Sequence, residues 1–129
     1  MIKESVLVID DNKITRDILR TILESEGYAV TCCADGLSAI DTAKEKVFSV
    51  FLVDYRMAAM NGAETTAVLR RMHPEKLIIG FSIENREPDF LKAGADMFIR
   101  KDELSSRLVE DLQGHSRSWR LDSMTRAEL

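Results

Sequence analysis

Ser49 to Gly62 reads S-V-F-L-V-D-Y-R-M-A-A-M-N-G, and its reading decides the fold. Val50, Phe51, Leu52 and Val53 form a continuous apolar run, too short for a helix and rich in β-branched and aromatic residues. That is the pattern of a strand buried on both faces, and such strands belong to parallel sheets. The run delivers one carboxylate, Asp54, to its end. Asn61-Gly62 then breaks the chain, and Ala63, Ala67, Val68 and Met72 recur at helical spacing until His73-Pro74. The segment therefore reads strand, loop, helix. In open α/β sheets ligands bind at the carboxyl ends of strands, which is where Asp54 stands.

The same unit repeats on either side. Ser5 to Ile9 is a buried-type strand that ends on Asp10-Asp11; Asn12 can cap the following helix, whose stripe is Ile14, Ile18, Leu19, Ile22 and Leu23, closed by Gly27. Tyr28 to Cys33 is the second strand, and Asp35-Gly36 opens a helix carrying Leu37, Ile40, Ala43 and Val47. After the third helix, Leu77 to Phe81 is a fourth strand with Ser82 at its carboxyl end. A short helix follows within Asn85 to Ala93, with Pro88 in its first turn, and Gly94 closes it. Asp96 to Arg100 is a fifth strand, followed by Lys101 and a helix capped by Asp102 with Leu104, Leu108, Val109 and Leu112 inward, ending at Gly114. Five alternations of strand and helix with short connections predict a parallel sheet covered on both faces.

The chain has 129 residues, of which 45% are hydrophobic and 31% charged, enough for one domain with a single core. A net charge of -4 gives no basic footprint for nucleic acid. Cys32 and Cys33 are adjacent, cannot close a useful loop and match no metal spacing, so they read as reduced strand residues. No window approaches a membrane span or a signal h-region, and the cytoplasm is the default expectation. His73 and His115 read as surface residues, and the methionines Met57, Met60, Met72 and Met97 as packing. His115 to Leu129 is polar apart from Trp119, Leu121, Met124 and Leu129, and reads as a tail or the start of a linker. A DNA-binding domain does not fit in the 15 residues after Gly114.

In a parallel sheet Asp10, Asp11, Asp54, Ser82 and Lys101 share one edge. Singly, the acid pair reads as a helix cap, Ser82 as a turn hydroxyl and Lys101 as a solvated cation. Together they read otherwise. Clustered hard oxygen ligands suit Mg²⁺, and a carboxylate beside that ion can attack phosphorus to form an acyl phosphate while Lys101 and Ser82 hold the transferring oxygens. Asp54, on the central strand, is the best placed nucleophile.

These residues resemble a response-regulator receiver domain over Ile2 to Gly114. The family's acidic pair matches Asp10-Asp11, its phosphoacceptor Asp54, its strand-four Ser/Thr Ser82 and its strand-five lysine Lys101. D-Y-R-M-A-A-M-N-G and A-G-A-D-M-F-I-R-K are similar to its D-x-x-M-P-x-M-x-G and A-G-A-x-x-[FY]-x-x-K patterns. The resemblance implies a flavodoxin-like, doubly wound five-stranded sheet in the order 2-1-3-4-5, the order for which a chemotaxis member of this family is a standing illustration. It implies a receiver domain over 1–114 and a phosphoryl group accepted on Asp54 from a sensor histidine kinase or phosphotransfer protein. The downstream partner is left open, and the domain is a monomer or a phosphorylation-dependent dimer. It further implies Mg²⁺ held by Asp11, Asp54 and the backbone carbonyl of Arg56, with Asp10 on a coordinating water. Lys101 pairs with Asp54 and then with the phosphoryl group, and Ser82 and Phe98 switch position together. Phe98 also reads simply as a buried strand residue.

The chain departs from the pattern at three places. Ala58 replaces a proline. Lys101-Asp102 replaces a Lys-Pro peptide usually found in cis, and since a non-proline cis bond costs about 2.5 to 4 kcal/mol, a trans peptide is expected. Lys101 follows Ser82 by 19 positions, about one helical turn fewer than in many members, and the deficit falls in the fourth helix. Arg56 and Glu84, each two residues beyond Asp54 and Ser82, flank the path of hydrolytic water in this family and are expected to pair and prolong the phosphorylated state. The domain is expected to be no enzyme beyond catalysing its own aspartyl phosphorylation and dephosphorylation. Two other readings remain: a receiver-like scaffold that works without phosphorylation, and a haloacid-dehalogenase-type phosphatase. The latter wants an acid where Arg56 stands.

Overall fold

The computed structural model describes residues 4–114. Five strands, β1 (Ser5–Ile9), β2 (Ala29–Cys33), β3 (Val50–Asp54), β4 (Leu77–Ser82) and β5 (Met97–Arg100), alternate with α1 (Lys13–Ser25), α2 (Gly36–Glu45), α3 (Gly62–Met72) and α4 (Glu87–Ala93). A 3₁₀ turn (Lys101–Glu103) leads into a last helix, α5, over 104–114. The sheet is parallel throughout in the order β2-β1-β3-β4-β5, as the resemblance implies. No helix among the described residues is long and apolar enough to cross a membrane.

Alternation along the central strands sends their side chains into two cores. Val6, Val8, Val50, Leu52 and Ile79 meet Leu19 and Leu23 of α1 and Leu104, Leu108 and Leu112 of α5 on one face. Leu7, Ile9, Phe51, Val53 and Ile78 meet Ala39 and Ala43 of α2, Leu69 of α3 and Phe90 of α4 on the other. Burial on both faces is why these strands are apolar at every position.

Helix phases are less well anticipated. Ile14, Ile18 and Leu37 lie exposed, and Val47, 79% exposed, falls beyond the end of α2. On α3 the buried face is Thr65, Thr66 and Leu69, one step away from the expected alanine stripe. There Thr65 sits against Gly36, where a Cβ would come within 2.3 Å of its Oγ1, so two small residues let α2 and α3 approach. Asp102 does not cap a helix: Arg100 precedes the 3₁₀ turn and α5 begins after it. The Lys101–Asp102 peptide is trans. His73 is half-buried, stacked on Phe51 at 5.8 Å with Nε2 3.1 Å from the Ala43 carbonyl, and is no plain surface residue. The segment from His115 onward lies outside the described residues.

Arg70 on α3 ties the lower edge together. Its Nε donates to the Gly94 carbonyl at 2.7 Å, Nη1 to the carbonyls of Pro74 and Lys76, and Nη2 to Asp96 at 2.6 Å. Asp96 Oδ2 also accepts from the Ile78 amide. Gly94, at φ 112°, closes α4 with a backbone that L side chains rarely adopt. Arg70→Ala strands three carbonyls and a carboxylate, and should cost about 2 to 3 kcal/mol in urea unfolding; Arg70→Lys, lacking the fork, should restore little of it.

Candidate functional site

β1 and β3 are hydrogen-bonded neighbours with Ile9 paired to Val53, so the next residues, Asp10 and Asp54, emerge side by side. Asp10 is fully buried and Asp54 nearly so, while Asp11 is exposed. One carboxylate oxygen from each of Asp10, Asp11 and Asp54 lies within 4.8 Å of the others. Asp10 is held in place by its neighbours: its Oδ1 accepts from the Asn12 amide at 2.8 Å and its carbonyl from Arg16 Nη1 at 2.8 Å.

Lys101, on the turn after β5, brings the one ammonium. It stands 3.1 Å from Asp10 Oδ2 and 3.8 Å from Asp54 Oδ1, nearer to the acid that the sequence did not pair it with. The contact with Asp10 is Coulombic and lacks hydrogen-bond alignment, so this fully buried oxygen has no hydrogen-bond partner. Ser82, buried at the end of β4, accepts from the Glu84 amide at 3.2 Å, which leaves its own proton free to point elsewhere. Phe98 on β5 is buried, its ring tilted on Phe90 at 5.8 Å.

The strand end is closely fitted. The Tyr55 amide donates to the Phe81 carbonyl and the Tyr55 carbonyl accepts from Gly62 at 2.7 Å. A Cβ on Gly62 would lie 2.2 Å from the Asp54 carbonyl oxygen, so the loop returns under Asp54 only with glycine there. Between them, Met60 N–H bonds back to the Ala58 carbonyl around Ala59 at φ 69°, a tight three-residue turn. Asn61 then starts α3 with a reciprocal capping box to Glu64.

The electrostatics follow from the geometry. Burial, and then the neighbouring Asp10, push the Asp54 carboxyl up to about 7; Lys101 opposes them and Asp11 adds to the rise. Three carboxylates face one ammonium, and a buried oxygen lacks a donor. That donor set fits a hard divalent cation, which adds positive charge and needs no hydrogen to bind.

Arg56 and Glu84 are joined by an ion pair across the rim, as their positions suggested. What holds that pair is not visible in the sequence. Arg86 lies over the Tyr55 ring at 4.3 Å and reaches Glu84 at 3.1 Å, and Tyr55 in turn meets Phe90 edge-on at 5.9 Å. Phe90 packs against Gly80, where a Cβ would come within 2.3 Å of its ring. A glycine inside a buried strand is the only sequence signal of that approach.

The family model described as response regulator receiver domain matches residues 6–113. The transcriptional regulatory protein ZraR of Klebsiella oxytoca is 34% identical over 119 residues, covering 87% of this chain and 27% of ZraR, so the chain spans about a quarter of that relative. The polar-differentiation response regulator DivK of Brucella anthropi is 25% identical over 87% of this chain and 95% of its own length. Among solved structures, chemotaxis protein CheY4 of Vibrio cholerae superposes with a TM-score of 0.82 at 26% identity, covering 87% of this chain and 98% of CheY4.

The Asp54 carboxyl loses its proton at lower pH in the unfolded chain, near 3.8, than in the folded one, near 7. Stability it contributes is therefore present below 3.8 and is lost as pH rises towards 7. Without divalent cations, Asp54→Asn should gain stability over the parent as pH rises from 4 to 8, by on the order of 2 to 4 kcal/mol at the upper end. Thermal melts across that range check the sign, and millimolar Mg²⁺ should narrow the gap by stabilising the parent.

Proposed function

This chain belongs to the response regulator receiver domain family, and from that membership we propose that Asp54 takes a phosphoryl group from a histidine kinase or phosphotransfer protein and that the modified domain, placed at residues 1–114, changes its affinity for a protein partner. The observation that carries this reading is the convergence of Asp54, Asp10, Asp11, Lys101 and Ser82 at the carboxyl edge of the sheet. Asp54 Oδ attacks the phosphorus of the donor, the bond from phosphorus to the donor's imidazole nitrogen breaks, and an acyl phosphate forms.

Asp11, Asp54 and the Arg56 carbonyl would hold Mg²⁺, with Asp10 on a coordinating water. When bound, the ion supplies positive charge to the transferring oxygens and lets Asp54 stay ionised. Lys101 leaves its place between Asp10 and Asp54 to take a phosphoryl oxygen, and Ser82 donates its free proton to another. The Phe98 ring already lies buried against Phe90, so movement of Ser82 towards the phosphoryl group would stabilise that inward packing rather than create it. Arg56, already paired with Glu84, is not the second acid that a dehalogenase-type phosphatase uses. Ile14 and Ile18, exposed one turn apart on the helix that follows Asp11, offer an apolar face to the protein that brings the phosphoryl group.

Incubation with acetyl phosphate and Mg²⁺ should add one phosphoryl group to the intact chain, seen by mass spectrometry and lost in Asp54→Ala. An unmodified parent that also gives no change in circular dichroism with beryllofluoride would instead support a phosphorylation-independent scaffold. Once the phosphorylated state is isolated, Arg56→Ala should shorten its half-life by several-fold; an unchanged half-life removes Arg56 from the control of hydrolysis.

A further inference from the structure

We propose that Arg86 is a positioning residue for the aspartyl phosphate: it fixes Glu84, and through Glu84 fixes Arg56, so that the rim of the Asp54 site stays closed to hydrolytic water. The inference rests on the receiver reading above.

The Glu84 carboxylate is engaged at both oxygens, Oε1 by Arg56 and Oε2 by Arg86 at 3.1 Å. The two guanidiniums are not equivalent. Arg56 is 71% exposed and has no other ion-pair partner among the described residues. Arg86 is anchored. Its guanidinium carbon stands 4.3 Å over the Tyr55 ring, Nη1 is 3.6 Å from Asp89 on α4, and its Nε is buried without a partner. An arginine flattened on an aromatic ring loses water from its faces and keeps its in-plane fork for carboxylates, which a lysine cannot copy.

Tyr55 is itself held on both its backbone and its ring. Its amide and carbonyl are bonded to Phe81 and Gly62, and its ring meets the fully buried Phe90. The chain of contacts thus runs from the core through Tyr55 and Arg86 to Glu84, and from Glu84 to Arg56 on the loop after Asp54. It spans the gap between the β3–α3 and β4–α4 loops. Glu84 also meets the site through its amide, which donates to Ser82.

Hydrolysis needs water oxygen to attack phosphorus opposite the Asp54 oxygen; the bond from phosphorus to Asp54 then breaks, the carboxylate departs, and the water proton ends on phosphate or on a nearby base. Glu84 is the carboxylate placed at the rim to take it. Each of its oxygens already accepts from a guanidinium N–H, so an incoming water must compete for the remaining lone pairs of a carboxylate held from both sides. Releasing Arg86 frees Oε2 and lets the Glu84–Arg56 pair swing outward.

The test uses the full chain, phosphorylated with acetyl phosphate and Mg²⁺ and then desalted, with loss of aspartyl phosphate followed by mass spectrometry. Arg86→Ala should shorten the half-life about fivefold, the rate equivalent of one partly exposed charge pair. Arg86→Lys should not restore it, and in a Glu84→Ala background Arg86→Ala should have no further effect. Lys92→Ala, an exposed change on the same helix, is the control. Should Arg86→Ala melt too low for the assay, Tyr55→Leu removes the stacking face while keeping an apolar contact with Phe90, and should shorten the half-life in the same direction. A parent-like half-life in the folded variant, or an effect that persists undiminished without Glu84, overturns the role of Arg86 while leaving the receiver reading intact. A parent that takes up no phosphoryl group on Asp54 overturns both.

Discussion

The molecule is organised around a charge imbalance: two neighbouring parallel strands end on carboxylates that the fold buries side by side with a single ammonium between them. Asp10 and Asp54 are adjacent because β1 and β3 pair in register, and no local rearrangement separates them without breaking the central ladder. Burial in a medium less polarisable than water makes that proximity unfavourable, and Asp54 responds by holding its proton to about pH 7. The apolar layers on either side of the sheet carry the stability that the edge gives up. Positive charge brought to that edge would relieve the repulsion between the two carboxylates.

Phe90 links that edge to the rest of the molecule. It belongs to the short seven-residue α4, yet it meets Tyr55 on the loop after Asp54, Phe98 on β5, and the backbone at Gly62 and Gly80. The two glycines are what let an aromatic ring lie so close to the strand ends. A ring packed this tightly cannot shift without moving its neighbours. On the outer side of the same helix Leu91 is left exposed.

Much of the site was legible because parallel strands that are buried on both faces are apolar throughout, and a charge at the end of such a run stands out. Asp10, Asp11, Asp54, Ser82 and Lys101 were all visible as such ends. The helix faces were less so: Val47, Leu37, Ile14 and Ile18 look like core residues in an apolar count and lie on the surface, whereas Thr65 and Thr66 are fully buried. Small polar residues fill the narrow space where α2 and α3 approach, and a hydrophobic stripe does not reveal that space.

By itself, then, the sequence determined the alternating architecture and the acidic edge, since both rest on periodicity and on residue type at strand ends, which are local properties. Tertiary structure alone decided which partners those residues meet. Lys101 lies nearer to Asp10 than to Asp54, Arg86 stacks on Tyr55 across 31 positions, and Phe90 finds two glycines from different elements. Such contacts depend on distances between elements far apart in the chain, and those are set by how the two cores pack.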